Sequence, residues 1–175
     1  MKQGYNLVRV ISLIVIFLMS SESGALMVGM STERLTRESE LVIVGDVENT
    51  ISQWSDDGKQ IVTQVTITYT DVIKGKNTNR KVVVEHEGGE VGEVGMQVSD
   101  SPHFRKGEKV ILFLKPEKIK EDKDIFKIVG SAQGKYTIGT DGIARKKGFS
   151  LWSDKELIDN NIPADMLIDK IKKVK

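Results

Sequence analysis

The sequence predicts a mainly β fold in which short strands close into a small barrel, with a short N-terminal helix and a C-terminal helix pair at its ends. Three observations carry this expectation. Residues 60–73 alternate strictly: Ile61, Thr63, Val65, Ile67 and Tyr69 fall on one face, and Val62, Gln64, Thr66, Thr68 and Thr70 on the other. That period of two belongs to an antiparallel strand with one wet face. Leu41–Val44 and Val110–Leu114 are continuous apolar runs too short for ordinary helices, a pattern expected of strands covered on both faces. Gly45 directly follows the first run, and a glycine in a strand marks the bulge or bend that lets one long strand serve both sides of a barrel.

Taken in order, residues 1–25 read as a signal peptide. Lys2 and Arg9 form a positive region, Val10–Met19 is unbroken and apolar, and Ser23-Gly24-Ala25 fits a small-x-small cleavage site. The apolar run would span only ~15 Å as a helix, half of a ~30 Å hydrocarbon core, so a cleaved leader is expected over a membrane span. The alternative is an uncleaved segment that tethers the protein to the membrane. Ser31 is placed to cap a short helix over Thr32–Glu38 that turns Leu35 inward. A strand follows over Glu40–Ile51, and Trp54–Lys59 is a turn in which Asp57-Gly58 supplies the positive φ of a tight hairpin. After the alternating strand, Lys74–Asn77 turns the chain into a third strand at Val82–Val84.

Gly88, Gly89, Gly92 and Gly95 then exclude regular helix, while Val94, Met96 and Val98 alternate as in a short edge strand. Asp100-Ser101-Pro102 makes a turn and Phe104 re-enters the core. The buried strand ending at Leu114 is stopped by Pro116. Ile125–Val129 and Lys135–Ile138 are further strands, and Asp141-Gly142 is a hairpin turn leading to Ile143. At the end, Ser153 and Glu156 form a capping box. Pro163 opens a last helix whose stripe is Met166, Leu167, Ile171 and Val174. The expected organisation is a leader at 1–25, a β-barrel domain at 26–150, and a helical extension at 151–175 packed on the barrel.

Composition narrows function more than any motif does. With 26 basic and 25 acidic residues the chain is close to neutral, which argues against nucleic acid, whose affinity rests on clustered positive charge. It has no cysteine, so neither disulfides nor lipid attachment through an N-terminal cysteine is available.

His86, Glu87 and His103 are the nearest approach to a metal set. They lack the second histidine of H-E-x-x-H and lie at a strand end and in a loop, so a polar surface loop is the plainer reading. The glycines after His86 lack the helix start and Lys-Ser/Thr of a phosphate loop. No serine has an evident histidine and aspartate set. Asp56-Asp57-Gly58 and Glu121–Asp124 are acidic turns without the ligand spacing of an EF-hand.

Three segments together resemble a known group. They are Glu40-Leu41-Val42-Ile43-Val44-Gly45-Asp46-Val47, Asp71-Val72-Ile73-Lys74-Gly75, and the Gly88-Gly89 run leading to Pro102-x-Phe104-x-x-Gly107-Glu108-Lys109-Val110 and Phe113-Leu114. They resemble uncharacterised exported prokaryotic proteins and, more distantly, the netrin-like module of tissue inhibitors of metalloproteinases. The resemblance covers roughly residues 26–149 and implies an OB-like, five-stranded antiparallel barrel. Those inhibitors act through an N-terminal cysteine, so that activity does not carry over to a cysteine-free chain. The OB-like barrel also places a helix between its third and fourth strands, where this chain has glycines.

The expected function is an exported, non-enzymatic binding module of the cell envelope or extracellular space. It needs no cofactor, and its partner is another protein. Its contacts are expected on loops around Trp54 and across Gly88, Gly89, His103 and Phe104, since loops on a rigid scaffold carry function most often. Two other classes stay open: a metal-dependent envelope hydrolase using His86, Glu87 and His103, and an OB-type glycan or nucleic-acid binder. The last predicts aromatic residues along strand faces, and the available ones, Tyr69, Phe113, Phe126 and Tyr136, mostly read as core.

Overall fold

A computed structural model describes residues 28–76, 79–117, 125–148 and 158–174. The expected leader, the acidic turn Glu121–Asp124 and the Ser153/Glu156 capping box fall outside these residues, and with them the first helix of the C-terminal pair. Strands make up 48% and helices 16%, so the chain is mainly β.

Five strands are hydrogen-bonded in a ring. β1 (Leu41–Trp54) pairs with β2 (Ile61–Lys74) along its length and, through Leu41–Asp46, with β6 (Lys109–Pro116) on its other side. β2 pairs with β3 (Lys81–Glu87), β3 with β7 (Ile125–Ile128), and β7 with β6. All of these pairings are antiparallel except β3 with β7, which is parallel. That corrects the expectation of a wholly antiparallel arrangement. The cause is the path of the chain, which leaves β3 through a hairpin, runs back along β6, and returns beside β3 in β3's own direction.

The register of β1 on β2 shifts between Val44 and Gly45, at the bulge the glycine predicted. A Cβ on Gly45 would stand 2.7 Å from Ile67 Cγ2 and 2.8 Å from Tyr69 Cα. Only a residue without a side chain lets β2 cross so close.

The start of β1, Leu41–Gly45, and the middle of β6, Val110–Leu114, are buried on both faces, and successive side chains of a strand point to opposite faces. Leu41, Ile43, Val110, Leu112 and Leu114 turn into the ring against Val65, Ile67, Val82 and Val84. Val42, Val44, Ile111 and Phe113 turn outward against Leu35, Tyr136, Leu167 and Ile171. Each such side chain contributes about 1.5–3 kcal/mol by leaving water. Two cores on two faces explain why these segments read as unbroken apolar runs.

Beyond the ring, β6 also pairs with β8 (Lys135–Ile138). β8 pairs in turn with β9 (Ile143–Arg145), and β9 with β10 (Ile162–Pro163). A 3₁₀ turn at Ser131–Gly134 joins β7 to β8.

Two helices cover the outer core. α1 (Thr32–Glu38) is capped by Ser31, whose hydroxyl accepts from the Arg34 amide. At its other end the Lys74 ammonium donates to the carbonyls of Thr36 and Ser39, a cation at the negative end of the helix dipole. α2 (Ala164–Lys172) buries Leu167 and Ile171. Met166, expected on the same stripe, is instead 59% exposed, and Ile168 packs on the outer core in its place. Ala164, Leu167, Ile168 and Ile171 share one helical face, and at about 100° per residue Met166 falls on the opposite side. Lys170 holds the segments together with pairs to Glu33 at 3.1 Å and Asp159 at 2.7 Å.

Candidate binding cleft

β3 ends at Glu87, and the two glycines that follow make the site. Gly88 has φ +92° and Gly89 φ +134°, a conformation that side chains disfavour. The base of the loop is fixed by a short relay: the Thr63 hydroxyl donates to Gly88 O at 2.6 Å and so accepts from Ser52 Oγ at 2.9 Å. A side chain on Gly89 would collide with both hydroxyls.

From there the chain forms a hairpin, β4 (Gly89–Val91) and β5 (Val94–Met96), turning at Gly92. The edge strand expected over Val94–Val98 is therefore shorter, ends at Met96, and pairs only with β4 among the described residues. This hairpin lies where the resemblance called for a helix.

The return loop closes a cleft of about 800 Å³ between the hairpin and the β1–β2 surface. Gly88, Gly89, His103 and Phe104, expected from sequence, all line it, as do His86 and Glu87. Trp54 does not. It ends β1 opposite Ile61 and is 45% exposed.

His86 is held in the cleft by several contacts. Its Nδ1 lies 3.0 Å from Ser101 Oγ and 2.9 Å from Glu87 O, and Ser101 Oγ donates to the same carbonyl at 2.8 Å. A carbonyl only accepts, so the network assigns the proton of the neutral ring to Nδ1 and leaves Nε2 as the acceptor. The ring stacks on Phe104 with centroids 5.9 Å apart. Burial lowers the pKa of His86, the bond to Glu87 opposes that, and His103 lowers it further.

Ser101 was not singled out from sequence, because a spacing of fifteen residues carries no recognisable serine–histidine signal. The pair is nonetheless a clamp for the return loop. A nucleophile needs an unprotonated nitrogen facing its hydroxyl, and here Nδ1 carries the proton. Among the described residues no three His, Cys, Asp or Glu side chains are grouped to hold a metal ion.

Phe104 also separates the cleft from a second cavity of about 660 Å³, with Arg105, Lys135, Arg145 and Lys147 among its lining. Lys135, almost fully buried, lies 4.9 Å above the Phe104 ring centroid and 2.9 Å from Glu108. Thr137 bonds to both, giving its proton to Glu108 and accepting from Lys135 at 3.0 Å. Burial lowers the Lys135 pKa, which Glu108 opposes, and Glu108 itself is held below its usual range by Thr137 and Lys135 despite its own burial. Sequence reading placed Lys135 at a strand start without marking it.

The fold is mainly β and carries these two concavities. Comparison with known protein families and with characterised proteins finds no match to this chain.

Proposed function

We propose that this protein is an exported, non-enzymatic binding module on an OB-like barrel, and that the hairpin 89–96 with its return loop is the edge that meets a partner protein. The observation that carries the reading is the hairpin itself. β4 and β5 pair only with each other among the described residues, and Val94 at the tip is 50% exposed. An unpaired strand edge beside an exposed apolar side chain suits an extended segment of another chain. The OB-like part is supported by the ring order β1-β2-β3-β7-β6, closed on β1. A five-stranded order of this kind suits a partly open Greek-key barrel. Export is supported by the charge and apolar pattern of residues 1–25. The netrin-like resemblance rests on the same strand and turn segments.

The test is a photo-crosslinking residue at Val94 in the full chain, expressed in an envelope-bearing host. Position 166 on α2, also an exposed apolar side chain, serves as control. A discrete protein adduct at 94 and none at 166 is expected; excess unlabelled chain should compete it away, whereas a chain with residues 89–96 replaced by a short Gly-Ser link should not. Equal labelling at both positions, or full competition by the hairpin-replaced chain, would sink the reading. Sequencing of the exported protein should begin at residue 26.

A further inference from the structure

We propose that the cavity beside Phe104 is a second ligand site, built for a phosphoryl anion and separate from the partner-contacting hairpin, which contributes none of its side chains. Four cations line it: Arg105, Lys135, Arg145 and Lys147. Two of them are already neutralised. Lys135 is paired with Glu108 at 2.9 Å, and Arg145 grips Asp141 with both Nη atoms at 3.0 and 2.6 Å. Arg105 and Lys147 have no carboxylate partner among the described residues, and the charges of both bear on Lys135. Two uncompensated positive charges therefore face one concavity. The chain as a whole is nearly neutral, with 26 basic against 25 acidic residues, so the local excess does not follow from composition.

A phosphate monoester matches this in charge and donors. It carries close to two negative charges at neutral pH and three acceptor oxygens, and an arginine fork with a lysine ammonium is a common pair for it. The buried Lys135–Glu108–Thr137 network fixes the floor, and Gly139 leaves room for the Arg145–Asp141 pair. A Cβ there would stand 2.8 Å from Arg145 Nη1. The cavity volume of about 660 Å³ exceeds a bare phosphate and leaves space for the group that the phosphoryl is attached to.

The experiment is calorimetry and amide NMR on the full chain, titrated with phenyl phosphate and separately with inorganic phosphate at fixed ionic strength. Saturable binding is expected, with shifts confined to residues around Arg105, Thr137 and Lys147. Arg105→Gln with Lys147→Gln should weaken it about tenfold for each cation removed. Asp141→Asn, which releases Arg145 while keeping the turn's acceptor, should tighten it several-fold.

Replacing the 89–96 hairpin should leave phenyl phosphate binding unchanged, so failure of the partner reading and failure of this one are distinguishable. Vesicles containing phosphatidic acid identify the source. Pelleting that phenyl phosphate competes and the double variant abolishes assigns a lipid headgroup, whereas saturation without pelleting assigns a soluble ester. Non-saturating shifts, an unchanged affinity in the double variant, or pelleting that ignores it would each overturn the proposal.

Discussion

Lys135 and Lys146 are both almost fully withdrawn from solvent, at 8% and 4% exposed, the first opening β8 and the second directly following its neighbour β9. Their surroundings differ. Lys135 has a carboxylate, a hydroxyl and an aromatic face around its ammonium. Lys146 lies 4.4 Å above the Tyr136 ring, and its Nζ has no hydrogen-bond partner among the described residues. Burial pushes its pKa down to about 7, with Asp159 opposing and Lys170 assisting.

A buried ammonium is tolerated in one of two ways: it keeps its charge beside a fixed counter-charge, or it gives up its proton. Here the two solutions sit on the two faces of β8. The face with Lys135 and Thr137 is charged and opens into a cavity. The face with Tyr136 belongs to the outer core under the helices. A charged face with fixed geometry is suited to a ligand, and the other face is packing.

The largest effect is expected from removing the counter-charge. Glu108→Gln keeps the shape but leaves Lys135 charged and buried, and should cost about 3 kcal/mol. The urea midpoint at pH 7 would fall accordingly. Adding Lys135→Met should recover most of the loss, because the cost comes from the orphaned ion. An unchanged midpoint in Glu108→Gln would mean that Lys135 does not depend on its partner.

Lys146→Met should act in the opposite direction. The folded pKa of Lys146, about 7, lies below its ordinary 10.5. Between those values the unfolded chain holds the extra proton, and stability rises with pH. Below about pH 7 the desolvation penalty is present in full. Replacing the ammonium by a thioether should therefore stabilise the protein by about 2 kcal/mol at pH 6. The gain should shrink steadily as pH is raised toward 10.5. Denaturant midpoints across that range check it, and a gain independent of pH would refute the assignment.

Sequence could not separate these lysines, because nothing in the flanking residues marks either as buried and they differ in what a distant segment brings to them. Glu108 reaches Lys135 from β6's entry, and Asp159 reaches Lys146 across the chain. The strands were legible for the opposite reason. Alternation at residues 61–70, the apolar runs at Leu41 and Val110, and the glycines at 45 and 58 are local signals with local causes. The helix stripe was readable at Leu167 and Ile171 but overextended to Met166, since an apolar side chain one step off the stripe looks the same in sequence. In the cleft, Gly88 and Gly89 announced a break in the chain. The Ser101–His86 contact could not be read, because it depends on how the return loop folds back.

That contact yields the smallest of these effects. The folded pKa of His86 is depressed below 6.5, chiefly by burial, with His103 adding to it while Glu87 O and Glu85 oppose it. As pH falls below 6.5 the unfolded chain takes up the proton first. The stability contributed by the neutral ring is therefore complete above 6.5 and is lost as pH drops through the folded pKa. His86→Gln keeps a donor for Glu87 O but does not titrate. It should cost about 1 kcal/mol at pH 7.5 through the weakened clamp and lost stacking on Phe104. It should also flatten the loss of melting temperature between pH 7.5 and pH 5. The two proteins differ only at residue 86, so the difference between the two curves isolates the histidine. If the curves run parallel, the ring does not hold the return loop in its neutral form. The cleft would then owe its closure to the hairpin's glycines and the Ser52–Thr63 relay alone.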